Sequence, residues 1–193
     1  MKAKKNLLKL LRICTNKKDD YNEACKYALL ENKKIIATDG KRMVVVKINT
    51  AVMNQEMEKN MLLDINNVGF PNGKQEIENM GVAGNIIPAI ELEKSGIRYP
   101  DWKSVILNEE KFPKQIDISS YYLISAYPID KLLMTIYQYH CFNHKHIVEL
   151  SKIKGLIFKK LYLNLSDSYP IVRIDGKIEG YEFEYYFLCF KQK

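Results

Sequence analysis

Leu7, Leu10, Leu11 and Cys14 recur at the spacing of one helical face, while Lys2, Lys5, Lys9 and Arg12 gather on the other. The pattern predicts an amphipathic helix over 5–14. Polar residues 16–20 break it. Residues 27–30, 35–38 and 43–48 then read as strands, separated by Glu31-Asn32-Lys33-Lys34 and by Asp39-Gly40, both with hairpin-turn chemistry. From 49 to 114 no period is sustained, and Pro71, Pro88, Pro100 and Pro113 recur. A structureless loop of that length is unusual, so this stretch is read as an insertion with short strands of its own or one that packs along the surface. Beyond it, 121–125 reads as a strand. Pro128 then opens a helix whose Ile129, Leu132, Leu133, Ile136 and Tyr137 fall at i, i+3, i+4, i+7 and i+8. Strands are expected around 147–150, over 156–165, 171–175 and 181–190, with Asp175-Gly176 and Gly180 as turn residues for the last hairpin.

Helix followed by antiparallel meander thus occurs twice. The expected fold class is α+β: one domain over 1–193, with a first half (1–48), an insertion (49–114) and a second half (115–193). The two halves should be related by a pseudo-twofold, both helices lying on one face of the sheet.

A chain of 193 residues, 47% hydrophobic and 27% charged, can build a true apolar core, which excludes collagen-like, low-complexity and disordered classes. The formal charge of +7 rests chiefly on lysine, because Arg12, Arg42, Arg98 and Arg173 are the only arginines. Lysine is a hydrated point charge, better suited to phosphate backbones than to reading guanine edges, so any nucleic-acid contact should be sequence-independent. The competing reading is that the lysines serve solubility. No apolar run approaches the roughly 20 residues that span a bilayer, and Lys9 and Arg12 interrupt the N-terminal apolar stretch. A cytoplasmic protein without membrane partners is expected. Cys14, Cys25, Cys141 and Cys189 form no C-x-x-C pair and are read as reduced, mostly buried thiols.

Two segments carry a family resemblance. Ala37-Thr38-Asp39-Gly40-Lys41-Arg42-Met43 resembles the A-T-D-G-H-R-L stretch of the bacterial sliding clamp, the beta subunit of replicative DNA polymerase. Arg98-Tyr99-Pro100-Asp101-Trp102-Lys103-Ser104-Val105-Ile106 is similar to the clamp's F-P-D-Y-R-R-V-[IL] segment, and the two stand in clamp order. The closing strand matches in position and apolar character. The resemblance implies a DNA-clamp-like domain, with helices toward duplex DNA, sheets outside and no base preference. It also implies a pocket for the short peptide of replication or repair partners. By that resemblance the pocket comprises Thr38, Arg42, Met43, Pro100 and Val105, with Tyr186 and Leu188 from the last strand. Lys5, Lys9 and Arg12 are the candidate phosphate contacts, acting by counterion release. The chain departs from the family in having one two-helix domain where a clamp subunit has three, so a ring would need several chains and a homo-oligomer is possible. Ser104 stands where the clamp has its second arginine, and Met43 where it has leucine.

Other chemistry finds less support. His140, Cys141, His144 and His146 form the only cluster of metal-ligand types. His140 and His144 would share a face if the helix reached them, but no H-E-x-x-H glutamate accompanies them and Asn143 and Lys145 look like a helix end. A metal-dependent enzyme built on this cluster is the third reading. A clamp-fold interaction module without DNA binding is the second. No Walker, dinucleotide or nucleophile-elbow motif occurs, so no catalytic residue, metal or cofactor is expected. Tyr181, Phe183, Tyr185, Tyr186, Phe187 and Phe190 could form a base-stacking platform, although aromatic residues favour strands for packing reasons alone. Lys145, Lys152, Lys154, Lys159 and Lys160 extend a basic surface or mark a solvated edge.

Overall fold

The computed structural model describes residues 5–16, 22–48, 59–67, 81–82, 85–87, 89–106, 114–117, 141–142, 144–164 and 171–190. Helix α1 (Lys5–Ile13) buries Leu7, Leu8, Leu10 and Leu11 and leaves Lys5 and Lys9 in solvent. A nine-residue helix is marginal alone, so its apolar side must find a partner. Its first turn is capped from a distance: the Glu179 carboxylate accepts from the backbone N–H groups of Asn6 (3.3 Å) and Leu7 (3.1 Å). A 3-10 turn (Glu23–Lys26) leads into the first meander, β1 (Ala28–Glu31), β2 (Lys34–Thr38) and β3 (Arg42–Lys47). Asn32 and Lys33 both take positive φ (48° and 61°), the two-residue turn whose twist suits a tight hairpin.

The stretch 49–114 contributes β4 (Met61–Leu63), β5 (Gly81–Val82), β6 (Asn85–Ile86), β7 (Ala89–Glu91), the short helix α2 (Leu92–Ser95) and a 3-10 turn (Trp102–Ser104). Then follow β8 (Lys114–Asp117), β9 (Cys141–Phe142), α3 (His144–Ser151), β10 (Leu156–Asn164), β11 (Ile171–Ile178) and β12 (Tyr181–Phe190). The class is α+β. The main antiparallel sheet runs β7-β4-β1-β2-β3-β12-β11-β10-β8, with β9 pairing the end of β12. Each meander follows a helix, α1 or α3, and the meanders meet at the β3·β12 seam, where Met43 lies opposite Tyr186.

Alternation along the strands divides the side chains between two faces. Ile35, Ala37, Val44, Val46, Leu161, Leu163, Val172, Ile174, Tyr185 and Phe187 join the α1 leucines and Ile147 and Leu150 of α3 in the main core. The opposite face collects Leu29, Ile36, Met43, Val45, Leu62, Tyr162 and Tyr186 around Trp102. Leu92, Ile97, Tyr99, Val105 and Ile106 pack over this second cluster, so the 92–106 segment roofs the outer face of the first meander.

Three expectations need correction. Residues 147–150 are helical, not a strand: Ile147 and Leu150, three apart, are buried in the core, while Val148 is 41% exposed. A four-residue apolar run is too short to reveal its period. Asp175-Gly176 lies inside β11, and the final turn is made by Glu179 (φ 49°) and Gly180 (φ 90°). Glycine at 176 has a packing reason, since a Cβ there would sit 2.5 Å from the Ile157 carbonyl oxygen and 2.6 Å from the Phe183 ring. Finally, α1 ends at Ile13, and Cys14 is buried just beyond it. The strand expected over 121–125 and the helix over 129–137 lie outside the described residues. No helix among the described residues is long and apolar enough to cross a membrane.

Candidate functional site

The β2–β3 turn is braced by its own side chains. Thr38 Oγ1 donates to the Arg42 carbonyl (2.9 Å) and accepts from the Gly40 N–H (3.1 Å). Asp39 Oδ1 accepts from the Lys41 and Arg42 N–H groups (3.0 and 2.9 Å), and Asp39 Oδ2 from Arg42 Nε (2.8 Å). Gly40 takes φ 81°, a conformation that glycine adopts without steric cost. The backbone N–H groups of residues 40–42 are thus all accepted by side chains of the turn itself, which braces it.

On the last strand, Tyr186 is buried with its hydroxyl donating to Glu184 Oε2 (2.6 Å). The Arg173 guanidinium lies 4.7 Å from the Tyr162 ring centre and 5.8 Å from that of Tyr186, and is gripped by Asp175 (2.6 and 2.8 Å). Burial and the nearby Glu184 carboxylate push the Tyr186 hydroxyl far above its usual range, so it stays protonated as a donor. On the roof, Tyr99 donates its buried hydroxyl to the Ile36 carbonyl (3.0 Å).

Where turn, last strand and roof converge, a cavity of about 190 Å³ opens beside the seam. Thr38, Arg42, Met43, Pro100, Val105, Tyr186 and Leu188 all border it, together with Trp102 and Ile171, which sequence reasoning did not single out. Trp102 was legible as part of the Tyr99-Pro100-Asp101-Trp102 segment; Ile171 carried no signal of its own. Arg42 borders the cavity, but its charge is engaged elsewhere. Its guanidinium is bonded to Asp39 and to Glu149 of α3, on the helix side of the sheet. The surroundings suit burial of one bulky apolar side chain, with exposed Lys41 and Asp101 at the rim.

The candidate phosphate contacts are less uniform. Lys5 and Lys9 are exposed one turn apart on α1, but Arg12 is half-buried and donates Nε to the Ile65 carbonyl (2.8 Å). Lys145, Lys152 and Lys154 are exposed on or just beyond α3, with Lys145 3.9 Å from Glu149. Helix α3 contacts α1. Lys159 instead pairs with Glu182 (3.3 Å).

Of the histidine cluster, His140 lies outside the described residues; Cys141 is on β9, and α3 begins at His144 and carries His146. His146 is buried, 6.3 Å from the Phe187 ring, and its Nδ1 has no hydrogen-bond partner among the described residues. Burial, then the Arg42 charge, lowers its pKa. Among the described residues no three His, Cys, Asp or Glu side chains gather to hold a metal ion. Nor is the last strand a stacking platform along its length: Tyr181, Phe183, Tyr185 and Phe187 are buried in the main core. Comparison with family models, curated proteins and solved structures finds no match to this chain.

Proposed function

We propose that this chain is a non-enzymatic, clamp-like protein of the replication type. It docks partners that insert a Leu or Phe side chain into the seam cavity, and it meets duplex DNA without base preference through the α1–α3 side. One observation carries the docking reading: residues chosen from three separated sequence segments border a single apolar cavity. An apolar pocket bordered by a buried tyrosine is the kind of site where one anchor dominates binding energy. A fluorescein-labelled peptide ending in Leu-Phe among Gly and Ser tests it. Leu188→Asp, at the half-buried edge, should weaken binding at least about tenfold, and equal affinity in wild type and variant removes the reading.

The DNA reading is supported by Lys5 and Lys9 and by the exposed cations near α3. Anisotropy with a random-sequence duplex should give an affinity that falls with salt, and Lys5→Glu with Lys9→Glu should weaken it and flatten the slope. Arg12, tied to Ile65, favours a second reading in which the domain docks peptides without holding DNA. Salt-independent or undetectable duplex binding, with peptide affinity intact in the charge-reversed protein, would select that second reading. Encirclement of a duplex would require several copies, so light scattering separates a ring from a monomeric module.

A further inference from the structure

We infer that Glu31 is a positioning residue for the cavity: by holding Trp102 and Lys103 it keeps the 97–106 segment seated as the cavity's third wall. The inference rests on the docking reading above and concerns what makes that site complete.

Two walls of the cavity, the 38–43 turn and β12, belong to the sheet and are held by its ladder. The third belongs to a segment that is no strand of that sheet. After α2 the chain turns through Gly96 (φ 69°). Its backbone bonds then stay local, from the Ile97 N–H to Ser95 Oγ (3.0 Å), from the Trp102 N–H to the Pro100 carbonyl (2.8 Å) and from the Val105 N–H to the Trp102 carbonyl (3.2 Å). Among the described residues its polar ties to the sheet are made by side chains, those of Tyr99, Trp102 and Lys103. Two of the three end on one carboxylate. Glu31 Oε2 accepts from Trp102 Nε1 (2.8 Å), and Glu31 Oε1 accepts from Lys103 Nζ (2.7 Å).

Glu31 sits at the end of β1, directly across from Lys34, with its side chain only 12% exposed. The Lys34 and Lys103 ammonium groups each lie 5.5 Å from the Trp102 ring centre. Remove the carboxylate and a buried indole N–H loses its acceptor, while two cations crowd one ring with no anion between them. Seating the segment then becomes unfavourable for the residues it carries into the cavity, Pro100, Trp102 and Val105. Glu31 borders none of the cavity, so its influence passes through Trp102.

Trp102 is the only tryptophan, so its emission reports the wall directly in the full-length chain. In Glu31→Ala, acrylamide quenching of Trp102 should rise and affinity for the labelled Leu-Phe peptide should fall about tenfold, with the far-ultraviolet circular dichroism unchanged. Glu31→Gln keeps an acceptor for the indole but no charge for Lys103, and should fall between. Unchanged quenching in Glu31→Ala overturns the latch. Increased quenching with unchanged peptide affinity overturns the positioning role. Should Glu31→Ala fail to fold, Glu31→Gln and Lys103→Ala are read by the same two criteria. If the wild-type chain does not bind the peptide, the docking reading and the positioning role both fall, while quenching alone still decides whether Glu31 holds the wall.

Discussion

The two meanders are alike on one face and opposed on the other. Toward the helices both present aliphatic and aromatic side chains to a shared core. On the outer face, the first meander shows Leu29, Ile36, Met43 and Val45, and the chain supplies a roof for them from 92–106. The second shows Tyr162, Arg173, Asp175, Glu184 and Tyr186 at the corresponding outward positions, tied into one ion-pair and stacking network. On the first meander the outward residues are apolar and lie under the 92–106 segment; on the second Tyr162, Arg173 and Tyr186 are buried as well, their polar groups satisfied by one another and by Asp175 and Glu184. The cavity lies where the two solutions meet, with Met43 and the roof on one side and Tyr186 and Ile171 on the other.

The contrast can be broken most sharply at its charged end. Arg173→Met leaves Asp175 and Glu184 without their cation on a side chain only 9% exposed, and should cost about 3–5 kcal/mol in urea unfolding. Ile36→Ala, on the roofed side, should cost about 2–5 kcal/mol by cavity formation. The two should separate in salt, because only the Arg173 effect is electrostatic; an Arg173→Met cost below about 1 kcal/mol would mean the network is ordinary solvated surface. A smaller effect sharpens the comparison within the second meander. Gly176→Ala must displace both the Ile157 carbonyl and the Phe183 ring and should cost about 1–3 kcal/mol. Thermal unfolding indistinguishable from wild type would show that β10 and the ring both yield without cost.

The smallest effect is a pH dependence. His146 is held neutral in the fold, its pKa below the usual 6.5 through burial and the Arg42 charge, opposed by Asp39 and Glu149. Below about pH 6.5 the unfolded chain binds this proton more readily than the folded one, so stability falls as pH drops through that value. His146→Phe should flatten the fall between pH 7 and 5.5, measured by urea midpoints. A slope unchanged by the substitution would assign it to other groups.

Much of this architecture was legible beforehand. The α1 face, the first hairpins and the strands at 156–165 and 181–190 follow from spacing and turn chemistry, because a leucine every third or fourth position and an Asn-Lys or Asp-Gly turn act locally. Thr38, Arg42, Met43, Pro100, Val105, Tyr186 and Leu188, which border the cavity, were named through the resemblance of their segments to the clamp's, whereas Trp102 and Ile171 were not singled out. Illegible were the events that depend on residues far apart. Glu179 caps α1 from the opposite end of the chain, Arg42 ties to Glu149 of α3, and Arg173 finds two tyrosines on neighbouring strands.

By itself, then, the amino-acid order determined the α1 helix, the first hairpins and the long closing strands, and which segments carry an apolar side beside a turn, but not the helical state of 147–150. It did so because those preferences arise within a few residues of one another. Only the tertiary structure decided that β3 should pair β12, that 92–106 should lie over the outer face of the first meander, and that Glu31 should meet Trp102. Those choices depend on complementary surfaces and charges brought together across the whole fold, and no local pattern encodes the partner.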